Sequence, residues 1–190
     1  MKSLIIALKT FLFFTVLTGI IYPLFVTGIA QAFFSDKANG SLIIKDNKII
    51  GSSLIGQQFD TTIYFNSRPS AIGYNPLPSG GSNYGLTNSK LKDLVNERKH
   101  QFAVYNNMDS LAAIPSEMLF ASASGLDPHI SPKAAFLQLE RIAKARNFNS
   151  NQRLKLEQLI KYQSEAPQFL ILGEERVNVL LLNLETDKIK

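Results

Sequence analysis

The 190-residue chain contains no cysteine and no tryptophan. Without thiols there is no disulfide framework, no thiolate metal site and no cysteine nucleophile. Histidine is nearly absent too. His100 and His129 are the only imidazoles, too few for a usual zinc set, so no metal site and no intrinsic cofactor is expected. The sequence lacks the G-x-x-x-x-G-K-[ST] phosphate loop, the H-E-x-x-H zinc helix, the G-x-S-x-G elbow and the G-x-G-x-x-G dinucleotide turn. Each of those supplies a specific piece of machinery, and without them a self-sufficient kinase, hydrolase or dehydrogenase has no support. Net charge is +5, but no run of Lys or Arg forms a stripe, which argues against nucleic acid as a partner.

What is present begins with an uncharged run. No residue between Lys9 and Asp36 carries a charge, and Thr10 to Ser35 is rich in Phe, Leu, Ile and Val. A hydrocarbon core about 30 Å thick requires roughly 20 apolar residues at about 1.5 Å rise each. Backbone polar groups in lipid must be satisfied internally, so a single segment crosses as a helix. Residues 10–35 are therefore expected to be a membrane-spanning helix, kinked near Pro23 because proline lacks an N–H and crowds the preceding turn. Gly19 and Gly28 would allow close packing against another helix. A buried core helix and a cleaved signal peptide, with Ala30-Gln31-Ala32 as the cleavage site, are the competing readings. The run is apolar on every face and longer than a signal h-region of about 7–15 residues, which argues against both.

Lys2, Lys9 and the N-terminal amine flank one end of the run, while Asp36 and Lys37 nearly cancel at the other. The positive-inside rule then keeps residues 1–9 in the cytoplasm and places residues 36–190 outside it. That remainder suffices for one core-bearing domain.

Its pattern is mixed, and the expected fold class is α+β. Ser41–Ile44 and Lys48–Gly51 read as a hairpin about Lys45-Asp46-Asn47. Tyr64-Phe65 reads as a short extended run, Met118–Ser122 as a buried strand and Val177–Leu182 as a closing strand. Helices are expected over Ser89–Tyr105, from Ser131-Pro132 onward, and over Asn151–Gln163. Arg141, Lys144 and Arg146 suit the C-terminal end of the second of these.

Two segments stand out chemically. Ser122-Ala123-Ser124-Gly125-Leu126-Asp127-Pro128-His129-Ile130-Ser131-Pro132 leads into a helix N-terminus, where N–H groups favour anions. Asp127 and His129 could pair as acid and base with Ser122 or Ser124 as nucleophile. Turn and capping chemistry alone would select the same residues. Ser79-Gly80-Gly81-Ser82-Asn83 could gather backbone N–H groups on a phosphate or a carbonyl partner, or serve as a plain turn. It lies in an irregular stretch, 66–88, whose interleaved aromatics favour an ordered docking loop over disorder.

Short matches in a fixed order run through the chain: Thr18-Gly19-Ile20-Ile21-Tyr22-Pro23-Leu24, Ala38-Asn39-Gly40-Ser41-Leu42, Gly51-Ser52-Ser53-Leu54-Ile55-Gly56-Gln57, and Tyr64-Phe65-Asn66-Ser67-Arg68-Pro69-Ser70-Ala71. Tyr74-Asn75-Pro76, residues 79–83, residues 121–132 and Arg176-Val177-Asn178-Val179-Leu180 follow. With these the chain resembles the KdpC family, the C subunits of Kdp potassium-transporting P-type ATPases. One departure is Glu175, where the family often has proline. The resemblance implies a non-catalytic, single-span accessory subunit of a bacterial inner-membrane complex for potassium uptake. Its implied partners are a potassium-selecting channel-like subunit, an ATP-hydrolysing P-type subunit and a small accessory subunit. It further implies a role in assembling and stabilising the complex, and in acting as a catalytic chaperone that raises the pump's ATP affinity. ATP would then be met through the complex, with residues 79–83 the best-matched contact for nucleotide or partner. Arg68, Asp127, His129 and Ser131 are expected to be docking or structural residues. The alternatives are a membrane-anchored extracytoplasmic hydrolase and a binding or sensor domain released by cleavage.

Overall fold

The computed structural model describes residues 2–109 and 111–190. They group into two compact units, one ending at Ser52 and the other running from Ser53 to Lys190.

The first unit begins with α1 (Lys2–Val16), continues through a π-helical turn at Leu17–Ile21 and proceeds into α2 (Tyr22–Phe33). The whole of Lys2–Phe33 is one helical run, long and apolar enough to cross a membrane, with none of its most apolar window buried. Near Pro23, where a kink is expected, the run departs from α geometry in the π turn just ahead of the proline. Pro23 sits in the first turn of α2, where its missing N–H costs least, and the π turn before it takes up the mismatch. A short α3 (Ser35–Ala38) follows. Then β1 (Leu42–Lys45) and β2 (Lys48–Ser52) pair antiparallel, with Lys45 opposite Lys48. Asp46 and Asn47 adopt φ of 51° and 59°, the two left-handed residues that a tight two-residue hairpin requires.

The second unit is built on helices. α4 (Ser89–Tyr105) is capped by Asn88, α5 (Pro132–Ala145) by Ser131 and α6 (Ser150–Gln163) by Asn149. The last forms a reciprocal capping box with Gln152, which satisfies two orphan donors at once. α6 runs into β4 (Ser164–Glu165); β3 (His129–Ile130) and β5 (Arg176–Asn178) complete a three-stranded antiparallel sheet in the order β3-β5-β4. The register sets His129 against Asn178 and Val177 against both Ile130 and Ser164. The chain closes with α7 (Val179–Thr186). Ile142 of α5, Leu156 and Ile160 of α6, Leu182 of α7 and Phe65 are fully buried and form the centre of the core. Each such side chain contributes about 1.5–3 kcal/mol relative to exposure.

Two expected strands are absent or shortened, and one expected extended run joins no sheet. Val177–Leu182 is a strand only as far as Asn178. There the Asn178 side chain accepts the Leu181 N–H at 3.2 Å and starts α7, so a short apolar run belongs mostly to a buried helix. Met118–Ser122 is not a strand. A 3₁₀ turn at Ser116–Met118 follows Pro115, and the chain beyond it pairs with the 66–80 loop instead of a sheet. Tyr64-Phe65 also joins no ladder, because the Asn183 side chain takes up both backbone groups of Phe65.

Candidate functional site

Asp127 is the hinge of the first segment. Its Oδ1 accepts the His129 backbone N–H at 2.9 Å, and its Oδ2 accepts from Arg68 Nη1 at 2.8 Å. The first bond folds the turn through Pro128 into β3. The second ties that turn to a loop 59 residues earlier. Partial burial acts to raise the Asp127 pKa, but the nearby His129 side chain, the His129 N–H and the Arg68 guanidinium together outweigh it and hold the carboxyl down at about 2. Such a carboxylate is a poor proton acceptor at neutral pH. The His129 Nδ1 lies 3.6 Å from Asp127 Oδ1, an electrostatic contact looser than an ordinary hydrogen bond. Ser131, two residues on, accepts the Ala134 N–H at 3.1 Å as the α5 cap, and its own N–H reaches Glu117 at 3.3 Å.

The second segment packs against the first. Ser79 Oγ donates to the Ser124 carbonyl at 2.9 Å, and Gly80 N–H donates to the same oxygen at 3.2 Å. A Cβ on Gly81 would stand 3.1 Å from the Ala123 carbonyl oxygen, so glycine here permits backbone to lie on backbone. Ser124 Oγ accepts the Leu126 N–H at 3.1 Å; Ser122 is buried. Ser82 is half-buried, while Asn83 is exposed at φ 54°. The two segments that the sequence singled out separately are thus one assembly. Arg68, Asp127 and His129 form its polar end, Ser131 starts the helix behind it, and 79–81 lie along 122–124.

Three further residues, all within the short matched stretches but given no role by the sequence reading, hold this assembly. Tyr74 Oη donates to the Arg68 carbonyl. Burial raises its pKa to about 12, against the lowering by Ser67 and Arg68, so it remains a donor. Gly56 donates its N–H to the Leu126 carbonyl at 2.7 Å, and a Cβ there would meet the Asp127 carbonyl oxygen at 2.6 Å. Gly125 sits at φ 71° against Ile72.

Arg141, read from sequence as one of three cations suited to the helix C-terminal end, is 4% exposed. Its guanidinium donates to Asn106 at 2.9 Å, to the carbonyls of Thr62 and Tyr64, and to Asn66 and Gln138, and stacks on Tyr105 at 4.4 Å. Its place one residue before Ile142 and three after Gln138 put it beside the buried stripe of α5; that spacing was the available signal. Arg146 likewise turns inward, to the Ile63 carbonyl and Asp187.

Arg68 lines two grooves. One, of about 800 Å³, is walled by Phe59, Tyr74, Phe102, Tyr105 and Met118. The other, of about 850 Å³, is walled by Asp127, His129, Ser131, Glu117 and the loop between β4 and β5. The arrangement offers concave surface and fixed dipoles around an ion pair. It does not set a base beside a nucleophile.

Comparison with known proteins agrees over nearly the full length. The family model described as "K+-transporting ATPase, c chain" matches residues 4–188. A Mycobacterium tuberculosis (strain ATCC 25618 / H37Rv) protein named "Potassium-transporting ATPase KdpC subunit" is 46% identical over 190 residues, covering 99% of each chain. Proteins of the same name are similar from Koribacter versatilis, at 45% identity over 98% of this chain and 94% of their own, and from Polynucleobacter asymbioticus, at 47% over 98% and 99%. With the match unbroken from the apolar helix through the Arg68–Asp127 assembly to α7, the chain belongs to the KdpC family.

Proposed function

We propose that this chain is a non-catalytic accessory subunit of an ATP-driven, high-affinity potassium uptake complex in the bacterial inner membrane. It is anchored there by the Lys2–Phe33 helix and acts to assemble and stabilise the complex. The full-length family match carries this reading. The site chemistry supports it, because Asp127 is committed to Arg68 and to a turn, which suits a rigid docking surface better than proton transfer. The domain stands on the outer side of the membrane, following the charge bias at Lys2 and Lys9, and docks over the external face of the potassium-selecting subunit. The loop 66–83, held by Ser122–Asp127, is its contact surface.

A catalytic-chaperone role toward the ATPase subunit, with nucleotide held at residues 79–83, is the second reading, and it rests on the family resemblance. An external domain cannot meet cytoplasmic ATP. The Gly80 N–H already has the Ser124 carbonyl as its partner, so a phosphate would have to displace that bond.

Co-purification of the tagged full-length chain with a channel-like subunit and a P-type ATPase subunit tests the accessory role. Protease access in intact spheroplasts tests sidedness, and digestion only after membrane rupture overturns the external placement. Nucleotide titration of the purified chain separates the two readings: saturable binding at millimolar ATP favours the chaperone.

A further inference from the structure

Between β4 and β5 the chain makes a projecting turn, Ala166 to Glu175. Gln168 and Leu172 bridge its base, with the Gln168 N–H donating to the Leu172 carbonyl and the Leu172 N–H returning to Gln168, both at 2.9 Å. Its tip is Phe169-Leu170-Ile171, exposed at 84%, 83% and 81%, and Leu172 beside it, though bonded into the base, leaves its side chain 56% exposed. Four consecutive large apolar side chains facing water are unusual on a folded domain. The backbone is also unusual. Phe169 and Leu170 adopt φ of 54° and 65°, the left-handed region that bulky residues rarely enter. Folding here spends strain to hold apolar groups outward, and such outliers mark functional sites. The base of this turn forms one wall of the groove that Arg68, Asp127 and His129 line from the other side, so the tip is continuous with the docking surface proposed above.

The rim decides what covers the tip. Glu174 and Glu175 follow it, and neither has an ion-pair partner among the described residues; Glu165 is held by Arg176 at 2.9 Å. The tip carries no Lys, Arg, Trp or Tyr, the residues that anchor at a lipid interface, and two free carboxylates are repelled by an anionic headgroup layer. A second copy docking by the same patch would bring like charges together. An apolar pocket rimmed by Lys or Arg on a different protein satisfies both features.

We propose that residues 169–172 form an insertion finger that seats in such a cation-rimmed apolar pocket on another subunit of the same complex. This rests on the accessory-subunit reading and adds the surface that makes the contact.

The absence of native cysteine makes a direct test clean. Leu170→Cys in the full-length chain, labelled in membranes with a photoactivatable maleimide, is expected to cross-link to another subunit of the complex. Glu174→Lys with Glu175→Lys should reduce that adduct. Leu170→Glu should lower the amount of complex retained on the tagged chain about tenfold or more, as for an interface anchor, with the circular dichroism of the chain unchanged. Cross-linking only to lipid, only to a second copy, or to nothing while the wild-type complex co-purifies intact overturns the finger and leaves the accessory role standing. Failure of the wild-type chain to co-purify with any subunit overturns both.

Discussion

Asn183 of α7 grips the peptide of Phe65 from both sides. Its Oδ1 accepts the Phe65 N–H at 2.8 Å, and its Nδ2 donates to the Phe65 carbonyl at 3.0 Å, across 118 residues of sequence and wholly inside the protein. One side chain does what a neighbouring strand would do elsewhere, and it carries the fully buried Phe65 ring into the core.

Asn183→Ala should therefore destabilise the chain by about 2–6 kcal/mol, since two buried backbone groups lose their partners at about 1–3 kcal/mol each. Asn183→Asp should also be costly, because it replaces the donor facing the Phe65 carbonyl with an acceptor. Chemical denaturation midpoints of the purified full-length chain check both.

Arg141 is a buried cation without a carboxylate partner among the described residues, and burial pulls its pKa down to about 10 against the opposing Tyr105. Its value lies in saturating acceptors from the 62–66 loop. Arg141→Met should cost roughly 3 kcal/mol or more by stranding those acceptors. Arg141→Lys should recover only a minor part, because an ammonium cannot reproduce the guanidinium fork. Loosening should appear first as faster amide exchange at residues 62–66.

The Asp127 pair makes a pH prediction with a definite sign. Its folded pKa of about 2 lies below the ordinary 3.8. The contribution is fully present above about pH 4 and is lost as pH falls towards 2, because the unfolded chain takes up the proton first. The shift corresponds to roughly 2 kcal/mol. Asp127→Asn should be less stable by about that amount at pH 7 and should show a flatter stability profile between pH 4 and 2.

Gly56→Ala should destabilise by about 1–3 kcal/mol, the usual cost of overpacking, because the added methyl meets the Asp127 carbonyl oxygen at 2.6 Å, and backbone cannot swing aside. Gly80→Ala, where a Cβ meets nothing within 4 Å, should stay within about 0.5 kcal/mol. Thermal unfolding of the two variants in parallel checks the contrast.

His129→Ala should leave potassium-stimulated ATP hydrolysis of the assembled complex within about threefold of wild type. A general base removed from an enzyme would instead cost on the order of 10²–10⁴ in rate. A loss in that range, with the complex still assembled, would overturn the reading of His129 as a turn residue without a chemical role.

The sequence by itself determined the elements whose signals are local. The apolar run expected over Thr10–Ser35 is helical, as far as Phe33, because an uncharged run of that length in lipid must satisfy its backbone internally. Asn88, before Ser89, and Ser131 mark helix starts because a cap acts within three residues, whereas the Asn149 cap of α6 emerged only in the structure. Asp46-Asn47 marks the hairpin because few residues tolerate two left-handed positions. The order of short motifs was also enough to place the chain in its family. Tertiary structure decided what depends on distant partners. Val177–Leu182 is apolar enough for a strand, yet Asn178 turns it into α7. Arg141 looks like a helix-end cation until the 62–66 loop closes over it. The 79–83 stretch and the 122–132 segment are far apart in sequence, and only folding shows that Gly81 of one admits the Ala123 carbonyl of the other. The Phe169–Leu172 tip was invisible for the same reason: four apolar residues in a row read as core until the fold leaves them without a core to enter.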